Sequence, residues 1–124
     1  MAAIKGKDTR PEIAVRTILD AMRVRYQSHR TDLPGKPDIV FPRRKKVIFV
    51  HGCFWHSHRC RYGRVKPVTN SRFWRDKCEE TRNRDKRNSR ALRKAGWEVF
   101  AVWECWTKRP VQLIARLTKF FTSR

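Results

Sequence analysis

Some segments of this chain repeat apolar residues at helical spacing, and the segments between them have the apolar pattern of β-strands. A first helix is predicted after Thr9, which can cap it, because Pro11 suits a first turn and Glu12 stands at the capping-box position. Apolar residues recur at helical spacing and form one face of this helix: Val15, Ile18, Leu19 and Met22. The alternation over residues 24–28 then predicts a short edge strand.

Two strands in the middle of the chain are apolar on both faces. They are predicted at Asp38–Phe41 and Val47–Val50, and the basic hairpin Pro42–Lys46 joins them. The turn-rich segment Leu33–Pro37 leads into the first strand. Because strands without a polar face must be covered on both sides, we expect this pair at the centre of a sheet.

A long helix is predicted from about Arg72 to Ala95, with Ser71 as its N-cap and Gly96 just past its end. Residues at spacings of three and four share one face of this helix, and we expect that face to look inward. The stripe consists of Trp74, Cys78, Thr81, Asp85, Asn88 and Leu92.

The C-terminal part of the chain predicts one more strand, Trp97–Trp103, and a last helix that opens at Pro110. One side of that helix is predicted to carry Val111, Ile114, Leu117 and Phe121. The order helix, strands, helix, strand, helix predicts one α/β or α+β domain over residues 1–124, with a mixed central sheet.

Charge narrows the choice of partner. The 124 residues include 31 Lys and Arg and 11 Asp and Glu, which gives a formal net charge of +20. Nucleic acid is the polyanion that best offsets such a charge, because each neutralised phosphate releases a counterion. An anionic membrane ranks second, since no basic helix has a clean lipid-facing side. Residues 1–8 form a basic arm.

The chain carries no sign of export or membrane insertion. No apolar run approaches the roughly 20 residues that span a bilayer. The N-terminus has no hydrophobic signal core, which predicts a cytoplasmic protein. Four cysteines in a reducing compartment indicate thiols or metal ligands rather than disulfides.

A zinc site is predicted from a loop rich in thiol and imidazole side chains. Cys53, His58 and Cys60 lie in one loop, and Cys105, just past the last strand, could close the site. His51 and His56 are alternative ligands. Ordinary reduced cysteines or a Cys53–Cys60 disulfide remain the competing interpretations. Cys78, on the long helix, is interpreted as a small core residue.

Three acidic residues are candidates for chemistry. Asp38 opens an apolar strand, where a carboxylate suits a hard cation such as Mg²⁺; an exposed turn aspartate is the alternative. Asp85 lies on the inward stripe of the long helix, and a salt bridge to a nearby arginine would also explain it. Glu12 is either a capping-box residue or part of a site.

Histidines and aromatic side chains crowd the same loop. His51, His56 and His58 lie within eight positions, and imidazole is the usual general base in hydrolysis; a hydrogen bond to a metal ligand or backbone carbonyl is the alternative. Phe54, Trp55 and, at the start of the long helix, Trp74 stand among basic residues. They could wedge between base pairs, or they could belong to the core.

Several separated segments, in order, resemble the very-short-patch repair (Vsr-type) DNA mismatch endonucleases. The central one is Phe49–Cys60, with the sequence FVHGCFWHSHRC. The flanking segments are KDTRPE at 7–12, LPGKPD at 33–38, FW at 73–74, RD at 84–85, GW at 96–97 and VWEC at 102–105. The resemblance implies a restriction-endonuclease-like three-layer fold, in which helices flank a mixed central sheet, with a structural Zn²⁺ and Mg²⁺-dependent nicking of DNA.

The resemblance also implies roles for individual residues. Asp38 and the backbone carbonyl of Val50 would bind Mg²⁺, His56 would be the general base, and His51, Glu12 and Asp85 would support the catalytic site. The implied zinc ligands are Cys53, His58, Cys60 and Cys105. The implied DNA contacts are the intercalating Phe54, Trp55 and Trp74, and the arm with Met1, Lys5 and Lys7, which would lie along the minor groove.

In this interpretation the substrate is double-stranded DNA with a T:G mispair left by deamination of 5-methylcytosine, cut 5′ of the mispaired T. The protein is expected to be a bacterial, nucleoid-associated monomer without membrane contact, with mismatch-repair proteins as candidate partners. Two other hypotheses fit the charge and the Cys/His loop. One is a zinc-stabilised DNA-binding protein without catalysis, and the other is a basic RNA- or ribosome-associated protein.

Overall fold

A computed structural model describes residues 9–53 and 71–122 of the chain. The first helix, α1, spans Arg10–Ala21. Its N-cap is Thr9, whose hydroxyl accepts the Glu12 backbone N–H at 3.4 Å, as the capping pattern predicts. Val15 and Leu19 of its predicted apolar face are fully buried, and Ile18 and Met22 pack at the edge of the same cluster.

Four strands form one mixed sheet. They are β1 (Gln27–Ser28), β2 (Ile39–Phe41), β3 (Lys46–His51) and β4 (Glu98–Trp103), and their spatial order follows the chain. Strands β1, β2 and β3 pair antiparallel, whereas β3 and β4 run parallel. The predicted central pair is confirmed, because every residue of β2 is buried and β3 lies between two neighbours.

Helices cover both faces of the sheet. On one face α1 and the C-terminal helix α3 (Pro110–Thr122) enclose a core with Ile39, Ile48 and Val102. On the other face Leu92, in the long helix α2 (Ser71–Lys94), packs with Val40, Val47 and Phe49. This is the predicted three-layer arrangement. Within the described ranges no helix is long and apolar enough to span a bilayer.

The predicted apolar side of α3 is half wrong: Leu117 is buried and Phe121 packs against the core, but the other two predicted residues are exposed. Val111 is 81% exposed and Ile114 is 42% exposed. The buried positions are Leu113, Leu117 and Phe120, which recur at intervals of four and three. Apolar residues surround more than half of this helix, so spacing alone allows two stripes, and contact with the sheet selects one of them.

The loop before β2 is held against α2 by a glycine. Gly35 adopts a φ of +76°, and a Cβ at this position would lie 2.9 Å from Cβ of Asn88. Only glycine combines that backbone conformation with so close an approach. Since Asp38 follows three residues later, this contact helps to fix where the strand begins.

Candidate active site

Asp38 lies where β2 begins and β3 ends. Its Oδ2 atom accepts a hydrogen bond from the backbone N–H of Val50 at 2.7 Å. The side chain is half-buried, so the interpretation as an exposed turn aspartate is wrong. In an extended residue the N–H and C=O point to the same side of the strand, so the carbonyl of Val50 faces the same way as its N–H.

Glu12 reaches the same place from α1. Its side chain is 2% exposed and hydrogen-bonds the carboxyl group of Asp38. One of its oxygens, Oε2, lies 3.1 Å from Nε2 of His29 and 3.7 Å from Nη1 of Arg16. The structure thus brings together two of the predicted acidic residues and encloses one of them almost completely.

The carboxyl group of Asp38 holds its proton unusually tightly. Burial above all, together with the charge and the hydrogen bond of Glu12, raises the pKa of Asp38 to about 7. The Val50 N–H and the nearby His29 lower this pKa, but by less than burial raises it. A largely buried Asp38 beside the buried Glu12 forms a site in which a cation would be favoured.

His29 and Arg16 are site residues that the sequence reasoning missed. The backbone N–H of His29 donates to the Asp38 carbonyl at 3.2 Å, immediately beyond the paired residues Ser28 and Ile39. His29 also has a φ of +59°, outside the strand conformation. Nη1 of Arg16 lies 3.4 Å from His29 Nε2. The spacing of four residues between Glu12 and Arg16 on one helix was a usable signal.

His51 ends β3 one residue after Val50. Its ring stacks on Phe49 with centroids 5.8 Å apart and lies 5.0 Å from the ring of Trp103. Two aromatic neighbours fix the orientation of this imidazole at the end of β3. His56, the implied general base, lies outside the described residues.

Cys53 and Cys105 occupy matching places beyond the parallel strands. His51 pairs with Trp103, and each cysteine follows two residues after its member of this pair. Cys53 is fully buried, and its N–H donates to Oε1 of Glu104 at 3.3 Å. Cys105 lies in a 3₁₀ helix, Glu104–Lys108, and both thiols are free of disulfides. Within the described residues no group of three or more His, Cys, Asp or Glu forms a metal site. The other two predicted zinc ligands, His58 and Cys60, lie outside those ranges.

Comparison with known proteins identifies the family. Residues 1–62 match the family model described as DNA mismatch endonuclease Vsr. The chain is 39% identical over 105 residues to the DNA mismatch endonuclease Vsr of Escherichia coli K12, which is 85% of this chain and 67% of that enzyme. The chain belongs to the Vsr family of DNA mismatch endonucleases.

Other relatives of this Vsr-family chain are nicking enzymes from bacteria. The nicking enzyme V.XorIIP of Xanthomonas oryzae pv. oryzae is 49% identical over 117 residues, which cover 94% of this chain and 85% of that enzyme. V.NmeAIP of Neisseria meningitidis is 40% identical over 119 residues, or 96% of this chain and 84% of that enzyme.

The fold is also that of a known nuclease domain. The catalytic domain of the homing endonuclease I-Bth0305I shares it with a TM-score of 0.62, over 92% of this chain and 95% of that domain, at 22% sequence identity. Together with the helices on both faces of the sheet, this similarity supports the predicted endonuclease fold.

The remaining predicted residues of this Vsr-family chain lie on α2 or outside the described ranges. The stripe from Trp74 to Leu92 is the less exposed side of α2, as predicted, and Asp85 is half-buried within it. Trp74 is half-buried, whereas the adjacent Phe73 is 52% exposed and meets it edge to face. The other implied DNA contacts, Met1, Lys5, Lys7, Phe54 and Trp55, fall outside those ranges.

Proposed function

We propose that this chain nicks double-stranded DNA on the 5′ side of the mispaired T in T:G mismatches, such as those left by deamination of 5-methylcytosine, and so initiates very-short-patch repair. The observation that carries the proposal is the Glu12–Asp38 carboxyl pair beside the end of β3. Membership of the Vsr family supports mismatched DNA as the substrate.

The residues present fit Mg²⁺. Glu12 and Asp38 supply hard oxygen ligands from two elements, and burial, with a smaller contribution from the charge of Glu12, raises the pKa of Asp38 to about 7, so a bound cation would favour its ionised form. The carbonyl of Val50 would add a third oxygen from the same side of β3. Bound there, Mg²⁺ would neutralise charge on the scissile phosphate and lower the pKa of an attacking water.

The protein's own contribution is to hold these oxygens in place. The N–H of Val50 holds Oδ2 of Asp38, and Glu12 hydrogen-bonds the same carboxyl group. His29 and Arg16 fix Glu12 from the side of β1 and α1. A carboxylate held in advance loses little conformational freedom when a cation and a phosphate arrive.

A histidine would accept the proton of the attacking water. We assign this role to His56, with His51 and Asp85 as supporting residues. The position of His51, one residue past Val50 and held between two aromatic rings, supports an imidazole at this end of the sheet. As the water oxygen bonds to phosphorus, the bond from phosphorus to the leaving oxygen would break, the imidazole would hold the proton of the water, and the leaving oxygen would take up a proton from solvent.

A structural zinc would join the loop after β3 to the end of β4. Cys53 and Cys105 lie beyond paired strand ends, and we propose that His58 and Cys60 complete a tetrahedral site with them. Phe54, Trp55 and Trp74 would then enter the base stack at the mispair, where stacking is weakest. The arm with Met1, Lys5 and Lys7 would follow the minor groove.

The test is a nicking assay on end-labelled duplexes that differ only in one base pair. With Mg²⁺, the T:G duplex is expected to give one product, cut 5′ of the mispaired T, and the matched T:A duplex is expected to stay intact. The same screen extends to other mispairs and flanking bases.

Two outcomes would reject the proposal. Tight, salt-sensitive binding with intact DNA under every divalent ion would indicate a zinc-stabilised DNA-binding protein without catalysis. Preference for RNA without sensitivity to the mispair would indicate an RNA-associated protein.

A further inference from the structure

An open groove of about 600 Å³ lies at the end of β2 that is remote from Asp38. One wall is the connection between α1 and β1, with Arg23 and Arg25, and the other is the β2–β3 turn, with Arg43 and Arg44. Tyr26 and Phe41, with rings packed edge to face, also line it. We call this feature the arginine groove.

In residues 9–53 and 71–122 no carboxylate pairs directly with these arginines, although Asp20 accepts a hydrogen bond from the Tyr26 hydroxyl at the edge of the groove, at 2.8 Å. Other cations do have acidic partners there: Arg16 lies beside Glu12, Arg30 beside Asp32 and Lys46 beside Glu98. None of the four groove guanidinium groups has a carboxylate within 4 Å in those ranges. Four like charges drawn from separate elements around one groove repel one another, so an anionic ligand would stabilise the arrangement.

Guanidinium chemistry indicates what that anion is. All four cations are arginines, whose planar forks match phosphate oxygens in pairs. The partly exposed ring of Tyr26, packed against the buried Phe41, adds apolar surface suited to the sugar of a nucleic acid strand. A chain with a net charge of +20 must also neutralise many phosphates when it binds DNA.

We propose that the arginine groove binds the phosphodiester backbone of the substrate duplex, away from the cleavage site. The ligand class rests on the proposed function, because the groove would grip the flank of the same DNA. Three residues of strand separate Asp38 from Phe41, a span of about 10 Å, and the turn with Arg43 and Arg44 lies beyond it. At 3.4 Å per base pair, the groove would reach phosphates more than about three base pairs from the nick.

The experiment measures binding of a fluorescent T:G duplex without Mg²⁺ at 50 to 200 mM salt, so that it does not depend on cleavage. Arg25→Gln/Arg43→Gln removes one charge from each wall. Arg87→Gln/Lys94→Gln is the control, because it removes two exposed charges from the outer side of α2. Thermal unfolding checks that each variant is folded.

The groove variant is expected to lower the slope of log affinity against log salt by about 2, since each phosphate contact contributes about 0.9. The parent should therefore lose about twelvefold more affinity than this variant over that salt range, and the control variant should behave as the parent does. Shortening one flank of the duplex to three base pairs should lower the slope of log affinity against log salt for the parent. The slope for the groove variant should stay the same.

Three results would overturn the proposal. Equal slopes for both double variants would indicate diffuse charge only. If shortening the flank of the duplex left the salt slope of the parent unchanged, the groove would not contact that flank. If the parent and the groove variant bound DNA equally, and polyglutamate bound the parent but not the groove variant, the ligand of the groove would be an acidic peptide. A protein that nicks no mismatch but shows the slope change would reject the proposed function and retain the groove.

Discussion

Asp38→Asn is expected to stabilise the Mg²⁺-free protein at neutral and higher pH. Burial, the largest cause, raises the pKa of Asp38 from 3.8 to about 7 in the folded protein. The folded state therefore favours the protonated form, so this stability is fully present below about pH 4 and is lost as the pH rises through about 7. Asparagine is neutral at every pH, and its amide oxygen can still accept the Val50 N–H.

The magnitude follows from the two pKa values. The interval from 3.8 to about 7 corresponds to about 4 kcal/mol of folding free energy, of which about 2 to 3 kcal/mol falls between pH 5 and pH 8. Urea unfolding of the parent and of Asp38→Asn at these two pH values, in Mg²⁺-free buffer of equal salt, measures the difference directly.

Asp32→Asn is the matched control. Asp32 is 60% exposed and paired with Arg30, whose hydrogen bond lowers its pKa, so its replacement should bring no gain at pH 8. A stability difference between Asp38→Asn and the parent that stays within about 0.5 kcal/mol from pH 5 to pH 8 would refute the reasoning. Saturating Mg²⁺ should stabilise the parent alone, because it binds the folded state of the parent.

Three further predictions concern residues around the site. Gly35→Ala should lower the free energy of unfolding by about 2 kcal/mol, because its Cβ would clash with Asn88. Gly96→Ala is the control and should lower it by only about 1 kcal/mol, because its Cβ would meet nothing within 4 Å. Equal losses in urea unfolding would show that the clash does not matter. His29→Ala should raise the Mg²⁺ concentration needed for half-maximal nicking about tenfold or more while DNA binding stays constant, through loss of a charge-assisted contact; an unchanged Mg²⁺ requirement would contradict that role. Native mass spectrometry should find one zinc in the parent and in Cys78→Ser but none in Cys105→Ser, and retention by Cys105→Ser would reject the ligand set.

The sequence predicted the fold well where local signals and burial agree. Helix α1 has both a cap and one apolar face, and β2 and β3 are apolar on both sides, which only a central position in a sheet allows. The side of α3 was predicted half wrongly because two apolar stripes compete on that helix, and only tertiary contact chooses between them.

The candidate site was predictable as far as the chemistry of single residues allows. Glu12 and Asp38 were identified because acids are scarce and Asp38 precedes an apolar strand. His29 was missed because its place opposite Asp38 depends on the β1–β2 register and on a left-handed backbone, and neither is encoded in a local pattern. The depth of burial that raises the pKa of Asp38 likewise arises only when α1 closes over the sheet.

Glu12 and Asp38 are proposed to hold the catalytic Mg²⁺ together. The most direct measurement is the single-turnover nicking rate of Asp38→Asn on the T:G duplex at saturating Mg²⁺, with binding and folding checked on the same preparation. A loss of about a thousandfold or more is expected, with DNA affinity within a few-fold of the parent. A folded Asp38→Asn protein that nicks this duplex at the parental rate would contradict this proposal.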